Sequence, residues 1–90
     1  MEADHELLRR ARVSKADWGH DEVIALYVVY GFEIRNGSKH DVVVHPQYPN
    51  LRATVARHKS LATGYVSTAV RLIDALIARK QGRNGNEPRQ

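Results

Sequence analysis

The chain has 90 residues, of which 42% are apolar and 27% are charged, and this size accommodates one hydrophobic core. A multidomain enzyme is therefore excluded. The absence of cysteine excludes disulfide bonds, thiolate zinc sites and a cysteine nucleophile, and predicts a cytoplasmic protein. The first residues are acidic where a signal peptide would be basic, and the longest apolar run, residues 23–30, is far shorter than the ~20 residues of a membrane span. We therefore expect neither export nor membrane insertion.

The formal net charge of +4 is unevenly distributed along the chain. Residues 1–41 carry six basic and eight acidic side chains, whereas residues 42–90 carry eight basic and two acidic ones, a net of +6. Lysine and arginine side chains near phosphates release counterions and speed the encounter with a polyanion. The second half of the chain is therefore expected to attract a polyphosphate partner.

Two helices are predicted at the start of the chain. Residues 3–13 carry a thin apolar stripe and an acidic side chain four positions before a basic one, which is typical of a short amphipathic helix. Residues 19–31 are rich in strand-forming side chains, but Gly19 at one end and Gly31 at the other favour a helix. The predicted buried stripe of this second helix contains Val23, Leu26, Tyr27 and Tyr30.

After the second helix the apolar pattern changes to a period of two. Residues 32–35 alternate apolar and charged side chains, and Asn36 and Gly37 form the dipeptide favoured in a tight hairpin. A second strand is predicted at residues 40–45 and a third at residues 51–57, each with alternating sides. These segments predict an antiparallel three-stranded meander.

A final amphipathic helix is predicted at residues 65–80, with Val66, Ala69, Val70, Ile73 and Ile77 on its buried side. Residues 81–90 contain no large apolar group and are expected to form a disordered tail. The predicted fold class is therefore α+β, of the α-β-β-β-α type, with two helices covering one face of the sheet. Residues 17–80 form the predicted domain, and residues 1–16 an N-terminal extension that can form a short additional helix.

Three segments carry recognisable motifs. LYVVYGF, at residues 26–32, leads from a helix end into a Gly-Phe strand entry, and GSKHDVVVHP, at residues 37–46, places a histidine five residues before a His-Pro pair. TVARH, at residues 54–58, precedes Gly64 and the last helix. In this order the motifs resemble the HicA family of toxins from bacterial and archaeal toxin–antitoxin pairs, whose fold is that of double-stranded-RNA-binding domains. The resemblance covers residues 18–79, about two thirds of the chain.

This resemblance implies the toxin component of a type II toxin–antitoxin system, an mRNA interferase that cleaves RNA without a metal or other cofactor. It implies His40 as the catalytic histidine, because His40 keeps the family's spacing to His45 and Pro46. The implied partners are mRNA as the substrate and an acidic HicB-like antitoxin that covers the active surface. No membrane or small-molecule cofactor is implied.

The side chains around His40 suit this chemistry. RNA cleavage without a metal needs a base for the 2′-hydroxyl, an acid for the 5′-oxygen and cations near the phosphate, and an imidazole titrates near neutral pH. Between Arg35 and Lys59 there are five basic residues and one acidic residue, Asp41. The predicted RNA-binding residues are Arg35, Lys39, Arg52, Arg57, His58 and Lys59.

Other interpretations remain open. The chain departs from the family pattern at Lys39, which precedes the histidine directly, and at Ala56, where proline is usual, so a noncatalytic RNA-binding module on the same fold is the alternative. A protein-interaction domain is a third possible function. A zinc site built from His40, His45 and His58 is rejected because no fourth ligand completes it. Strand parity places His45 on the opposite sheet face from His40, so a structural role is expected for His45.

Overall fold

The chain folds into three helices and one three-stranded sheet. A computed structural model describes the backbone of residues 2–82 and the side chains of residues 6–81. The elements are α1 (Glu2–Val13), α2 (His20–Val29), β1 (Glu33–Asn36), β2 (His40–Val44), β3 (Arg52–Ala56) and α3 (Thr63–Gly82). This order confirms the predicted α+β fold and its additional N-terminal helix. Among the described helices, none is both long and apolar enough to cross a membrane.

The end of α3 differs from the predicted boundary. The helix continues through Gly82, so residues 81 and 82, which were assigned to a disordered tail, are helical. The remainder of that predicted tail, residues 83–90, lies outside the described residues. The loss of large apolar side chains after residue 80 therefore did not mark the end of the helix.

The sheet is an antiparallel meander with β2 in the centre. In its register Ile34 lies opposite Val43, and Val43 lies opposite Ala53, so these three side chains share one face. Val43 is fully buried, and α2 and α3 pack on this side. The opposite face contains the remaining strand positions, among them Arg35, His40, Val42, Arg52 and Thr54. One covered face and one open face match the predicted layering.

Helix α2 ends where Gly31 was expected to end it. Gly31 has a φ of 87°, a left-handed conformation that side chains with a Cβ rarely adopt. Its amide donates to the carbonyl of Val28, and the amide of Phe32 donates to that of Tyr27. The rings of Tyr27 and Phe32 pack edge to face with centroids 5.0 Å apart. This is a Schellman motif with its apolar contact, and it turns the chain directly into β1.

Helix α1 packs against α2 and α3, and its Leu8 and Ala11 are buried in the same core as the sheet residues. The fully buried Trp18 follows this helix and donates from Nε1 to the carbonyl of Ser14 at 3.0 Å. The guanidinium of Arg10 covers the indole at 4.3 Å from its centroid. Trp18 therefore ties α1 to the rest of the domain.

The buried face of α3 is wider than the predicted stripe. The most buried side chains of the helix are Val66, Ala69, Leu72, Ile73 and Leu76. Leu72 and Leu76 were not in the predicted stripe, whereas Val70 and Ile77 are only half-buried. The reason is that α3 contacts α1, α2 and β3, so more than one side of the helix meets apolar surface.

Candidate active site

The hairpin that joins β1 to β2 was predicted, but its turn differs in detail. Asn36 pairs with Asp41 and so belongs to the strand, and residues 37–39 form the connection. The amide of Gly37 donates to the carbonyl of His40 at 2.9 Å. A Cβ at Gly37 would lie 2.6 Å from that same oxygen, so only glycine permits this closure. The prediction that Asn36 lies in the turn itself is therefore wrong.

His40 is the first residue of β2 and lies opposite Ala56 of β3 on the open face of the sheet. Its side chain is exposed, and no other side chain in the described part of the protein forms a hydrogen bond with the imidazole. Both ring nitrogens are therefore accessible to a ligand, at the end of the strand where the hairpin turn begins.

The residue after His40 has the opposite environment. Asp41 points to the helix side of the sheet and is only 3% exposed. Its Oδ1 accepts hydrogen bonds from Arg57, at 2.7 and 3.1 Å, and from Asn36 at 2.8 Å, while Oδ2 lies 2.5 Å from Nε2 of His20. These bonds, with Arg57 first and Asn36 and His20 after it, hold the pKa of Asp41 well below its usual range. The buried carboxylate is therefore ionised.

Arg57 follows β3 directly, and although its side chain is 38% exposed, all three nitrogens of its guanidinium donate to protein oxygens. Besides Asp41, it donates from Nη1 to the carbonyl of Ser38 at 3.1 Å and from Nη2 to that of Gly37 at 2.5 Å. The hydrogen bond with Asp41 raises the pKa of Arg57. The sequence predicted Arg57 as an RNA contact, and the structure instead joins it to the buried carboxylate and to the turn before His40.

His20, in the first turn of α2, completes the cluster. Its Nδ1 lies 3.0 Å from Asp21 and its Nε2 faces Asp41. Burial opposes the charged imidazole, but the hydrogen bonds and charges of the two carboxylates outweigh it and raise the pKa of His20. The sequence offered no signal for this role, because the contact joins residues 21 positions apart.

Three of the predicted RNA-binding residues lie on the open sheet face or in the turn before His40. Lys39 lies in the turn and is exposed. Arg35 lies opposite Val42 and Arg52 lies opposite Val44, so both side chains share the open sheet face with His40. Arg35 is 3.8 Å from Glu33 on the same strand, at the outer limit of an ion pair. The open face therefore carries one imidazole and two guanidinium groups, and the adjoining turn carries the ammonium group of Lys39.

The other predicted RNA-binding residues lie elsewhere. His58 and Lys59 are exposed in the segment after β3, where they line a shallow pocket of about 370 Å³ with Arg57 and the start of α2. The carbonyl of His58 accepts a hydrogen bond from the amide of His20 at 3.0 Å. The predicted set is thus divided between the open sheet face and this helix-side pocket, and the sheet separates the two groups.

His45 lies in the core on the helix side of the sheet, as strand parity indicated. It is 3% exposed and packs between the rings of Phe32 and Tyr48, with centroids at 5.2 and 5.4 Å. Its Nδ1 accepts a hydrogen bond from the amide of Gln47 at 3.1 Å. Burial, together with the charge of Lys80, lowers the pKa of His45. The contacts are those of a structural histidine that holds the turn after β2.

No group of three histidine or carboxylate side chains within the described residues is arranged to hold a metal ion. What the open face can do without one is transfer a proton at His40 and bind an anion through its cations. Comparisons of the chain with protein-family models, with curated proteins and with solved structures give no match.

Proposed function

We propose that this chain is a metal-independent endoribonuclease that acts as the toxin of a cytoplasmic toxin–antitoxin pair, with His40 as its acid or base. The observation that carries the proposal is the exposed imidazole of His40 at the end of a hairpin, with Arg35 and Arg52 on the same sheet face and Lys39 in the adjoining turn. The α-β-β-β-α layout supports it, because the resemblance to HicA toxins implied that arrangement.

The proposed reaction uses groups of the RNA itself as nucleophile and leaving group. The imidazole of His40 accepts the 2′-hydroxyl proton, the 2′-oxygen bonds to the adjacent phosphorus, and the bond to the 5′-oxygen breaks. The departing 5′-oxygen takes up a proton from water, so the products are a 2′,3′-cyclic phosphate and a 5′-hydroxyl. Lys39 and Arg35 offset the charge that develops on the phosphorane oxygens. The substrate is a single strand, because its backbone can adopt the in-line geometry that this attack requires.

The test is cleavage of a labelled single-stranded RNA in the presence of EDTA. The wild type should cleave, His40→Ala should lose at least a hundredfold in rate, and its thermal midpoint should stay unchanged because the side chain is exposed. His58→Ala is the matched histidine substitution, and it should retain kcat. Cleavage by His40→Ala at the wild-type rate would overturn the assignment of His40 as the catalytic residue.

One observation favours a second candidate, a noncatalytic RNA-binding module. Catalytic histidines are commonly oriented by a second group, and among the described residues it is His20, not His40, that contacts carboxylates. In this case the open face binds RNA and His40 contributes a hydrogen bond. Binding of RNA with no cleavage by the wild type would select this candidate.

The proposed protein partner is an acidic, HicB-like antitoxin that covers the open sheet face. Charge complementarity with Arg35, Lys39 and Arg52 would speed association. Tyr48 does not belong to this surface, because its half-buried ring packs against His45 on the helix side and lies 5.5 Å from the guanidinium of Arg79 on α3. Co-expression with the product of the neighbouring acidic reading frame should restore growth and co-purify the two chains. Persistent growth arrest without co-purification would remove this part of the proposal.

A further inference from the structure

We propose that Asp41 and Arg57 are positioning residues for His40, and that Arg57 is not an RNA ligand. The guanidinium of Arg57, held by the buried carboxylate of Asp41, clamps the turn at residues 37–39 and thereby fixes the start of β2. The inference deepens the proposed ribonuclease function and rests on it for the role of His40. The contact between Arg57 and the turn can be tested without any measurement of RNA cleavage.

The hydrogen bonds of Arg57 form a bridge between the buried acid and the turn. Its Nε and Nη2 donate to Asp41, and its Nη1 and Nη2 donate to the carbonyls of Ser38 and Gly37. The amide of Gly37 in turn donates to the carbonyl of His40. One planar guanidinium therefore binds two successive carbonyls of the turn. A lysine could not reproduce these bonds, because its ammonium group lacks the planar fork of donors.

The carboxylate at the centre of the bridge is fixed by three parts of the chain. Asn36 approaches Asp41 from β1, His20 from α2 and Arg57 from the segment after β3. The turn is thus held relative to the helix layer as well as to the sheet. Because no described side chain bonds to the imidazole of His40, the position of its backbone is what limits the region that the ring can reach. A mobile turn would spread the imidazole over many positions and lower the fraction in reach of a scissile phosphate.

A phosphate-binding role for Arg57 conflicts with these contacts. All three nitrogens of the guanidinium already donate to protein oxygens. Turning the group toward a ligand would leave Asp41, which is almost fully buried, without its main charged partner. Among the described residues of the sheet, Arg35 and Arg52 make no such contacts with buried groups, so both are available to RNA.

Steady-state kinetics with a short labelled RNA distinguish a positioning role of Arg57 from a role in RNA binding. Arg57→Ala and Asp41→Asn should lower kcat at least tenfold and change KM and its salt dependence little, since they loosen the catalytic group. Arg52→Ala is the matched arginine substitution and should raise KM with kcat retained. Arg57→Lys keeps the charge and loses the planar fork, so its kcat should stay low. A raised KM with unchanged kcat in Arg57→Ala, or full recovery in Arg57→Lys, would overturn the positioning role.

Backbone relaxation by NMR tests the clamp without any activity. The amides of Ser38, Lys39 and His40 should show order parameters near 0.85 in the wild type and below about 0.6 in Arg57→Lys and Asp41→Asn. Arg57→Lys is included because it keeps the ion pair, and the unchanged dispersion of core amides establishes that it is folded. Rigid turn amides in both variants would refute the clamp. Turn amides that are rigid in the wild type and loosened in both variants, in a protein that does not cleave RNA, would support the clamp and refute the proposed function.

Discussion

Nε2 of His20 lies 2.5 Å from Oδ2 of Asp41, which connects the first turn of α2 to the central strand of the sheet. The other ring nitrogen of His20 faces Asp21, so the protonated imidazole donates to a carboxylate on each side. The same Asp41 carboxylate also accepts from Arg57 and Asn36. A single buried acid therefore holds a helix, a hairpin and the segment after β3 together. This acid follows the candidate catalytic histidine in β2 and lies on the opposite face of the sheet.

Replacing Asp41 by Ala should lower the free energy of unfolding by about 2–4 kcal/mol, because three donors lose a buried acceptor while His20 and Arg57 keep some contact with solvent. Asp74→Ala is the matched control, since its carboxylate pairs with Arg12 at an exposed site where such a pair is worth about 0–1 kcal/mol. Urea denaturation measures the free energy of unfolding of both variants. Equal losses in the two variants would contradict the central role of Asp41.

The stability of the protein should depend on pH through His20. Because its folded pKa is raised above 6.5, the folded state holds the proton more tightly, and the stabilisation is complete below pH 6.5 and lost as the pH rises through the folded pKa. Urea midpoints at neutral to mildly alkaline pH should therefore fall in the wild type and stay flatter in His20→Gln. His45→Gln is the control, because the lowered pKa of His45 acts with the opposite sign, below pH 6.5. If the urea midpoint of His20→Gln falls with pH as steeply as that of the wild type, His20 is not the group responsible.

Gly19 and Gly64 should respond oppositely to alanine. A Cβ at Gly19 would overlap the carbonyl oxygen of Lys59, so Gly19→Ala should push the segment after β3 away from α2 and cost about 1–3 kcal/mol. A Cβ at Gly64 would meet no atom within 4 Å, and the residue lies in the first turn of α3, so Gly64→Ala should stabilise by up to about 1 kcal/mol. Thermal denaturation compares the two. A neutral Gly19→Ala would mean that the two segments are not held in contact.

The cations of the open sheet face should account for the salt dependence of RNA binding. Changing Arg35, Lys39 or Arg52 to Gln should weaken binding similarly for different RNA sequences and reduce the slope of log K against log salt by about 0.7–1 each. Arg9→Gln is the control, because Arg9 lies on α1 and pairs with Glu6. Fluorescence anisotropy at several salt concentrations gives the slopes. Unchanged slopes in all three variants would place the RNA surface elsewhere.

Much of the fold could be predicted from local patterns. Gly19 and Gly31 bound α2 although its composition favours a strand, because the backbone conformation at a helix end depends on the residue at that position. The alternation of residues 32–35 and 51–57 marked the strands for a similar reason, since side chains on a strand alternate between two environments. The exposed position of His40 at the hairpin followed from the same local rules.

The cluster around Asp41 could not be predicted in this way. The sequence showed Asp41 as a single acid among five basic residues, which indicated a surface for anions, and it assigned Arg57 to RNA. Only the packing of α2 and of the segment after β3 against the sheet brings His20 and Arg57 to that carboxylate. Local patterns determine which elements form because they depend on neighbours along the chain. Which charges neutralise one another depends on distances in space, and these exist only once the elements have packed.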